Sequence, residues 1–222
     1  MAHVHLPDGT FSIQWVIIWW LLAIIILGLC LYWLKKIRKI DNKTITLAAM
    51  LTAASFAIFQ VSIPLFGGVH INLTPLIGIL AGPAIGSIIV LIVNILSAAI
   101  GHGGWGMIGA NILVNMTEVT VSYAIYKSLL KLNLDTFSRA GIATIIGLLF
   151  GNIAMISIIL ISGIQGVHQD ITTTFYGLSL IAAVNMGVAI IESFITGYVV
   201  SYIKRIRPDM LSEVKPDGAA AK

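Results

Sequence analysis

The chain has 222 residues, of which 58% are hydrophobic and only 10% are charged. A soluble domain typically carries about 25% charged residues, so this composition excludes a water-soluble globule and indicates a protein embedded in a membrane. The net charge of +4 matters less than where the basic residues stand, because their positions set the orientation of membrane helices. A single cysteine, Cys30, excludes a disulfide framework within the chain.

The first apolar run, from about Ser12 to Leu34, predicts a helix long enough to cross a bilayer. The run ends in a basic cluster: Lys35, Lys36, Arg38, Lys39 and Lys43. A signal peptide carries its positive charge before the apolar region, so we expect this helix to be retained. Since basic flanks stay in the cytoplasm, we expect residues 1–11 to form an extracytoplasmic segment, with the N-terminus outside.

The next hydrophobic stretches predict one continuous span and a broken one, whose short descending arm and ascending arm count as two crossings. The continuous one runs from about Thr44 to Pro64, and the broken one begins with a short helix from Thr74 to Ala81. Gly82 and Pro83 then interrupt the helix, and a second arm follows from Ala84 to Ile100. Non-helical backbone at membrane depth is tolerated only inside protein or a cavity, so we expect this break to be buried in a helical bundle.

Three further spans complete the predicted bundle, from about Trp105 to Leu130, Ala140 to Ile161 and Thr174 to Ile203. The sequence therefore predicts an all-α, polytopic membrane protein with about seven transmembrane helices, one of them short and broken at a Gly-Pro pair. The bundle covers residues 12–207. Residues 208–222 are expected to form a flexible cytoplasmic tail, because they lack the apolar content of a packed core.

In this topology every lysine and arginine lies on the cytoplasmic side and every histidine on the outer side. The five histidines are His3, His5, His70, His102 and His168. Imidazole is a common ligand of nickel, cobalt, copper and zinc, so the separation favours a metal site on the outer face. The alternative is that the histidines are scattered, those near the terminus on a frayed end and the others in solvated loops.

The start of the chain offers a chelate. If Met1 is removed, the free amine of Ala2, the next amide nitrogen and the imidazole of His3 close fused rings around one ion, and His70 supplies a fourth nitrogen. Nitrogen ligands in a plane favour Ni(II) or Cu(II) over zinc. His102 stands between glycines that permit close backbone approach, and it is a candidate ligand, a residue that orients a ligand, or a simple turn residue.

Polar and small residues inside the spans leave two questions open. Glu118 and Glu192 are the ionisable side chains at depth, away from the predicted outer site, and either ease the passage of a cation or pair with asparagines to hold the bundle together. Ala49, Ala53 and Ala57 form a stripe of small residues on the second span, suited to internal packing or to docking of a partner.

Motifs of enzymes are missing from the sequence. It contains no HExxH, GxSxG or Walker A run, so we expect neither a metalloprotease nor an ATPase, and the energy for any transport must come from another subunit. The basic cluster is a membrane-flanking run and not a nucleic-acid surface. We expect no enzymatic activity and no resident cofactor.

Three blocks of the first half, in this order and spacing, resemble the CbiM/NikM family, the substrate-binding membrane subunits of cobalt and nickel energy-coupling-factor transporters. The matching stretches are His5-Leu6-Pro7-Asp8-Gly9, Val69–Thr74 with Gly78–Pro83, and Gly101–Gly104 leading to Gly109–Asn111. The resemblance implies a seven-helix subunit in the cell membrane that binds Ni²⁺ or Co²⁺ from outside. The ligands it implies are the terminal amine, the amide and imidazole of the second residue, and a loop histidine that matches His70.

The resemblance also implies partners: a membrane coupling subunit, two cytoplasmic ATPase subunits and often a small accessory membrane protein. Ala49, Ala53 and Ala57 are similar to the small-residue face that meets the coupling subunit in this family. The function implied is substrate capture in an ABC-type importer. A metal sensor or assembly subunit, or a vitamin-binding subunit of the same architecture, are the alternatives.

One departure from the family pattern concerns the terminus. Many members begin Met-His directly, whereas here the histidine before Pro7 is His5. Either His3 makes the terminal chelate and His5 is an additional ligand, or His5 binds through its side chain and the terminus has another role. We favour the first, because a chelate needs a free amine one residue before the histidine, and Ala2 supplies it.

Overall fold

A computed structural model of the protein describes residues 8–37, 41–60, 62–63, 69–166, 170–208 and 211. These residues form six α-helices and one two-residue β-ladder, and the predicted all-α class is confirmed. The helices are α1 (Ile13–Ile37), α2 (Asn42–Phe59), α3 (Thr74–Ala99), α4 (Ile108–Ser128), α5 (Thr136–Ser162) and α6 (Ile171–Ile206). Five of them, all except α4, are long and apolar enough to cross a membrane.

The second predicted span was too long. Helix α2 ends at Phe59, and the chain continues as strand β1 (Ser62–Ile63), which pairs antiparallel with β2 (Val69–His70). Apolar residues continue past the end of the helix, and hydropathy by itself does not separate a short apolar strand from a helix. Pro64, the predicted end, lies outside the described residues, as does nearly all of the predicted tail 208–222.

The predicted break at Gly82 is confirmed. Its backbone has φ 78° and ψ 172° inside α3, a conformation that glycine adopts readily, and Pro83 follows. A straight helix of 26 residues would be about 39 Å long. Instead the two ends meet, since the rings of His70 and His102 have centroids 4.6 Å apart. A Cβ at Gly86 would lie 3.2 Å from a methyl carbon of Ile77. Helix α3 is therefore a hairpin of two arms, 74–81 and 83–99.

Helix α4 lies at the centre of the bundle and packs against α1, α3 and α5. Glycines let the neighbouring backbones approach it. A Cβ at Gly78 of α3 would lie 2.3 Å from the carbonyl oxygen of Val119, and a Cβ at Gly151 of α5 would lie 2.3 Å from a carboxylate oxygen of Glu118. A larger residue at Gly78 would require the backbone of α4 to shift, and one at Gly151 would displace the side chain of Glu118. These contacts fix how α3 and α5 sit on α4.

The two ends of the bundle differ in chemistry. One end, here the histidine end, holds His70, His102 and residues 8–11. The other, the basic end, holds the lysines and arginines that the structure describes, which are Lys35, Lys36, Lys43, Lys127, Lys131, Arg139, Lys204, Arg205 and Arg207. This separation within the described chain agrees with the predicted topology.

Two aspartates begin helices at the basic end. Asp41 accepts the backbone N–H of Thr44 at 2.9 Å and caps α2, and Asp135 accepts that of Ser138 at 3.1 Å and caps α5. Hydrogen bonds from the side chain and the backbone of Thr44 lower the pKa of Asp41, and Ser138 lowers the pKa of Asp135 in the same way. Both caps are therefore strongest when the carboxylates are ionised.

Candidate metal centre

Two imidazoles meet at the histidine end. The Nε2 atoms of His70 and His102 are 3.3 Å apart, and their rings are nearly perpendicular at 85°. Two nitrogen ligands about 2.0–2.1 Å from one ion lie about 2.9–3.4 Å apart for angles between 90° and 110°. The observed distance therefore suits two ligands of one ion, and it also suits a hydrogen bond between the rings. The solvated-loop alternative is wrong for His70, whose side chain is only 4% exposed.

A helix cap places His102. The N–H of His102 donates to the carbonyl of Ser97 at 2.8 Å, and the N–H of Gly101 donates to that of Ala98 at 3.0 Å. This is the pattern of a Schellman motif, and Gly101 takes the left-handed conformation that the motif requires, with φ 83°. The end of α3 thus turns sharply and presents His102 to the start of the same hairpin, where His70 lies.

An aromatic side chain covers one side of the histidine pair. Phe59, the last residue of α2, is buried, and its ring centroid lies 5.5 Å from that of His70 and 5.3 Å from that of His102. An apolar wall lowers the local dielectric and restricts how the two rings can turn. The pair is therefore held from the α2 side as well as from the two ends of α3.

The N-terminal segment is attached beside this pair. The carboxylate of Asp8 accepts the backbone N–H groups of Trp105 at 3.1 Å and Gly106 at 2.7 Å, in the turn that follows His102. A Cβ at Gly104 would lie 2.4 Å from the same carboxylate, so only glycine leaves room for it there. The anchor therefore attaches Asp8 to the same turn that carries His102.

A second attachment holds this segment from the other side. The carbonyl of Thr10 accepts the N–H of Gln165 at 2.8 Å, in the loop after α5, and Phe11 is buried in the core. Residues 8–11 are thus fixed at the histidine end between the α3–α4 turn and the α5–α6 loop. Ala2, His3 and His5, the predicted terminal ligands, lie outside the described residues, and so does His168.

Two imidazoles do not complete a metal site. Among the residues that the structure describes, no group of three or more His, Cys, Asp or Glu side chains is arranged to hold an ion. Structural and transport sites for late first-row metals generally use four or more donors. Of the predicted set, the structure brings together His70 and His102, and the remaining members belong to residues 1–7.

Buried polar residues lie directly behind the histidines. Asn72 donates its side-chain amide to Asn115 of α4 at 3.1 Å, and its carbonyl accepts the hydroxyl of Ser55 at 2.8 Å. Thr74 donates its hydroxyl to the carboxylate of Glu118. From the sequence we expected the two buried carboxylates to lie away from the outer site. Glu118, however, accepts a hydrogen bond from Thr74, which is only four positions after His70.

Buried polar side chains form hydrogen bonds between the helices. Thr74 donates to Glu118, and two pairs of asparagines bond each other, Asn72 with Asn115 and Asn185 with Asn152. Amide side chains both donate and accept, so they satisfy each other without a charged partner. These polar groups link the helices to one another, and whether the acids also pair with asparagines stays a prediction.

The predicted partner face is exposed. Ala49, Ala53 and Ala57 lie on the outer surface of α2, and the first two line an apolar groove of about 610 Å³ between α2 and the second arm of α3. Phe56 and Ile92 form part of its walls. Small residues beside a groove allow another helix to approach closely. The docking of a partner there stays a prediction.

The family model described as CbiM, cobalt uptake substrate-specific transmembrane region, matches residues 5–210. The chain is 29% identical to an Archaeoglobus fulgidus protein named as a fused nickel transport protein, NikMN, over 98% of this chain and 71% of that protein. It is 32% identical over 151 residues to the cobalt transport protein CbiM of Lachnoclostridium phytofermentans, over 66% of this chain and 60% of that protein.

Two solved structures share the fold. A crystal structure of a transition metal transporter superposes with a TM-score of 0.77 at 22% identity, covering 91% of this chain and 93% of that one. A truncated transition metal transporter gives a TM-score of 0.74 at 25% identity, covering 91% and 99%. The arrangement of helices described above is therefore that of membrane proteins that carry transition metals.

Proposed function

Since the chain belongs to the CbiM family of cobalt-uptake, substrate-specific transmembrane proteins, we propose that it is the subunit that captures Ni²⁺ or Co²⁺ outside the cell for import. It is a multi-pass protein of the cell membrane and a membrane component of cobalt or nickel transport. The observation that carries the proposal is the pair of Nε2 atoms, 3.3 Å apart, at the end of the bundle where Asp8 anchors the N-terminal segment.

The proposed ligand set combines that segment with the loop histidine. After loss of Met1, the amine of Ala2 and the amide and imidazole of His3 bind the ion, and His70 adds a nitrogen. His102 is a further ligand or orients His70, and His5 is an additional ligand. Imidazole and amine nitrogens suit late first-row divalent metals and not magnesium or calcium, which prefer oxygen.

The proposed site is extracytoplasmic, and the basic end is cytoplasmic, following the rule that lysine and arginine remain inside. The partners are a membrane coupling subunit, two cytoplasmic ATPase subunits and a small accessory membrane subunit, in an importer of the energy-coupling-factor type. Ala49, Ala53 and Ala57 are the proposed contact with the coupling subunit, supported by their exposure beside an apolar groove. The ATPases supply the energy, since the sequence has no Walker A run.

The decisive experiment compares two forms of the detergent-solubilised protein, both with a C-terminal tag, in titrations with Ni²⁺ and Co²⁺. One form begins at Met1, and the other carries two extra residues before Met1. We expect tight binding only in the first form, because the extension moves the free amine away from the ion. Equal binding in both would move the site onto His5, His70 and His102. No binding in either would favour the sensor, assembly or vitamin-binding alternatives.

A second titration tests the loop histidine. His70→Ala is expected to weaken binding at least about 100-fold, while His102→Ala weakens it about 10–100-fold if His102 only orients its neighbour. His168→Ala is the matched control and should bind as the wild type does. Undiminished affinity in the His70 variant, with the protein still monodisperse, would contradict the proposed ligand set.

A further inference from the structure

Asn72 occupies an unusual position behind the candidate metal centre. It follows His70 by two residues, and its side chain is only 1% exposed. Its carbonyl accepts the hydroxyl of Ser55 on α2, and its amide group donates to Asn115 on α4. A buried amide with satisfied hydrogen bonds fixes one backbone geometry more sharply than apolar packing does. The loop that carries His70 is thus fastened to two different helices through one residue.

A third helix faces the same point. Glu192 of α6 is fully buried, and its carboxylate lies towards the backbone N–H groups of Asn72 and Leu73, outside the geometry of a full hydrogen bond. Within the described chain its oxygens have no hydrogen-bond partner. The amides at the start of α3, which carry a partial positive charge, face this side chain. Helices α2, α4 and α6 therefore all converge on residues 72–73.

The backbone at this point is strained. Leu73 has φ 56°, and among the described residues it is the only one other than glycine with a positive φ. A left-handed conformation in a residue with a side chain costs about 1 kcal/mol or more and persists only where the surroundings enforce it. Here the enforcing contacts are those of Asn72 on one side and the first turn of α3 on the other.

We propose that Asn72 positions His70 for metal binding, by holding the short segment between β2 and α3 in one conformation against α2, α4 and α6. The inference rests on the proposed function, because it takes His70 as a ligand. A loop that is already ordered pays less conformational entropy when the ion binds, so its fastening contributes to affinity without touching the metal. Asn72 is thus a positioning residue and not a ligand.

The bond to Ser55 adds a connection with the proposed partner face. Ser55 is buried, whereas Ala53 and Ala57, two residues before and after it, are exposed on the opposite side of α2. Residues two apart on a helix point in directions about 200° different. One turn of α2 therefore carries Ala53 and Ala57 of the proposed partner face on its exposed side. On its other side, Ser55 holds the segment that follows His70.

The test removes the partners of Asn72 and leaves both histidines in place. Ser55→Ala and Asn115→Ala are compared with Ser87→Ala and Asn94→Ala, whose side chains are also buried but bond the carbonyls of Pro83 and Val90 within their own helix. For each protein, Ni²⁺ affinity, the absorption spectrum of the bound ion and the melting temperature are measured. Ser55→Thr, which keeps the hydroxyl, serves as the rescue.

We expect the two test variants to raise the Kd for Ni²⁺ about tenfold and to shift the absorption bands of the ion, because one ligand is less well aligned. The controls should stay within about twofold of the wild type even where their melting temperature falls, and Ser55→Thr should restore tight binding.

Test variants that bind as tightly as the controls, beside a wild type that binds, would overturn the inference alone. A wild type that binds neither Ni²⁺ nor Co²⁺ would instead overturn the proposed function. If Asn115→Ala does not fold, the Ser55 pair of variants decides the question in the same way.

Discussion

Helices α1 and α3 have nearly the same mean hydropathy, yet they occupy opposite environments. In the most apolar window of α1, 17% of the residues are buried inside the protein, against 78% in α3. Large side chains of α1 such as Ile24 and Leu29 are exposed on the outside of the bundle. Hydropathy therefore identifies a segment that is removed from water, but it does not tell whether the segment faces lipid or packs inside the protein.

The size of the side chains makes the difference. Helix α3 carries glycines at positions where α4 or its own other arm comes close, as at Gly78 and Gly86, whereas nothing lies within 4 Å of a Cβ placed at Gly28 of α1. Without a hydrophobic driving force between helices in lipid, close packing is the main source of their association. Glycines that lie against a neighbouring helix thus distinguish α3, in the core, from α1 on the outside.

The largest expected effect is at Gly78. Gly78→Ala places a Cβ 2.3 Å from the carbonyl oxygen of Val119, and since backbone cannot move aside, we expect a loss of at least about 3 kcal/mol or no folded protein. Gly28→Ala is the matched control, and we expect it to be neutral or to stabilise α1 by up to about 1 kcal/mol. Yield after gel filtration and the melting temperature in detergent measure both. Equal tolerance at the two sites would break the comparison.

A smaller difference is expected for truncation of isoleucines. Ile89→Ala in α3 removes a side chain that is 1% exposed and leaves a cavity, which should cost about 2–4 kcal/mol. Ile24→Ala in α1 removes one that is 55% exposed, and we expect less than about 0.5 kcal/mol because lipid or detergent fills the space. A loss at Ile24 as large as that at Ile89 would indicate that α1 is covered by a partner.

The smallest effect is expected at Asp41, the residue that caps the start of α2. Because hydrogen bonds from Thr44 hold the pKa of Asp41 below its ordinary value, its cap contributes stability above the unfolded pKa of about 3.9. That contribution is lost as the pH falls through the lower, folded pKa. We expect Asp41→Asn, which still caps but does not titrate, to flatten the fall in melting temperature below pH 4 slightly. An unchanged slope would show that the cap carries no pH dependence.

Much of the fold could be predicted because its signals are local. Apolar runs of about 20 residues predict most of the helices, and the Gly82–Pro83 pair predicts the break in α3. The end of α2 could not be placed, since the ladder after Phe59 joins two pairs of residues through backbone atoms only. Gly147 and Gly151, four residues apart, form a pattern of small residues that is typical of close helix packing, and both glycines contact α4.

From the sequence we could name the two histidines that meet at the candidate site, but not the contacts that bring them together. His70 and His102 were each considered as ligands, and their meeting depends on the closure of the α3 hairpin and on the cap at Gly101. Asn72 and Asn115 are 43 residues apart, and no local pattern pairs them. The role of Asp8 was equally invisible, because its partners are backbone N–H groups, which every sequence contains.

The anchoring of the N-terminal segment has a consequence for the order of biosynthesis. Thr10 is synthesised 155 residues before Gln165, whose N–H its carbonyl accepts. Asp8 likewise cannot form its hydrogen bonds until Trp105 and Gly106 have been synthesised. The attachment of residues 8–11 at the histidine end therefore cannot be complete before the loop between α5 and α6 has been made.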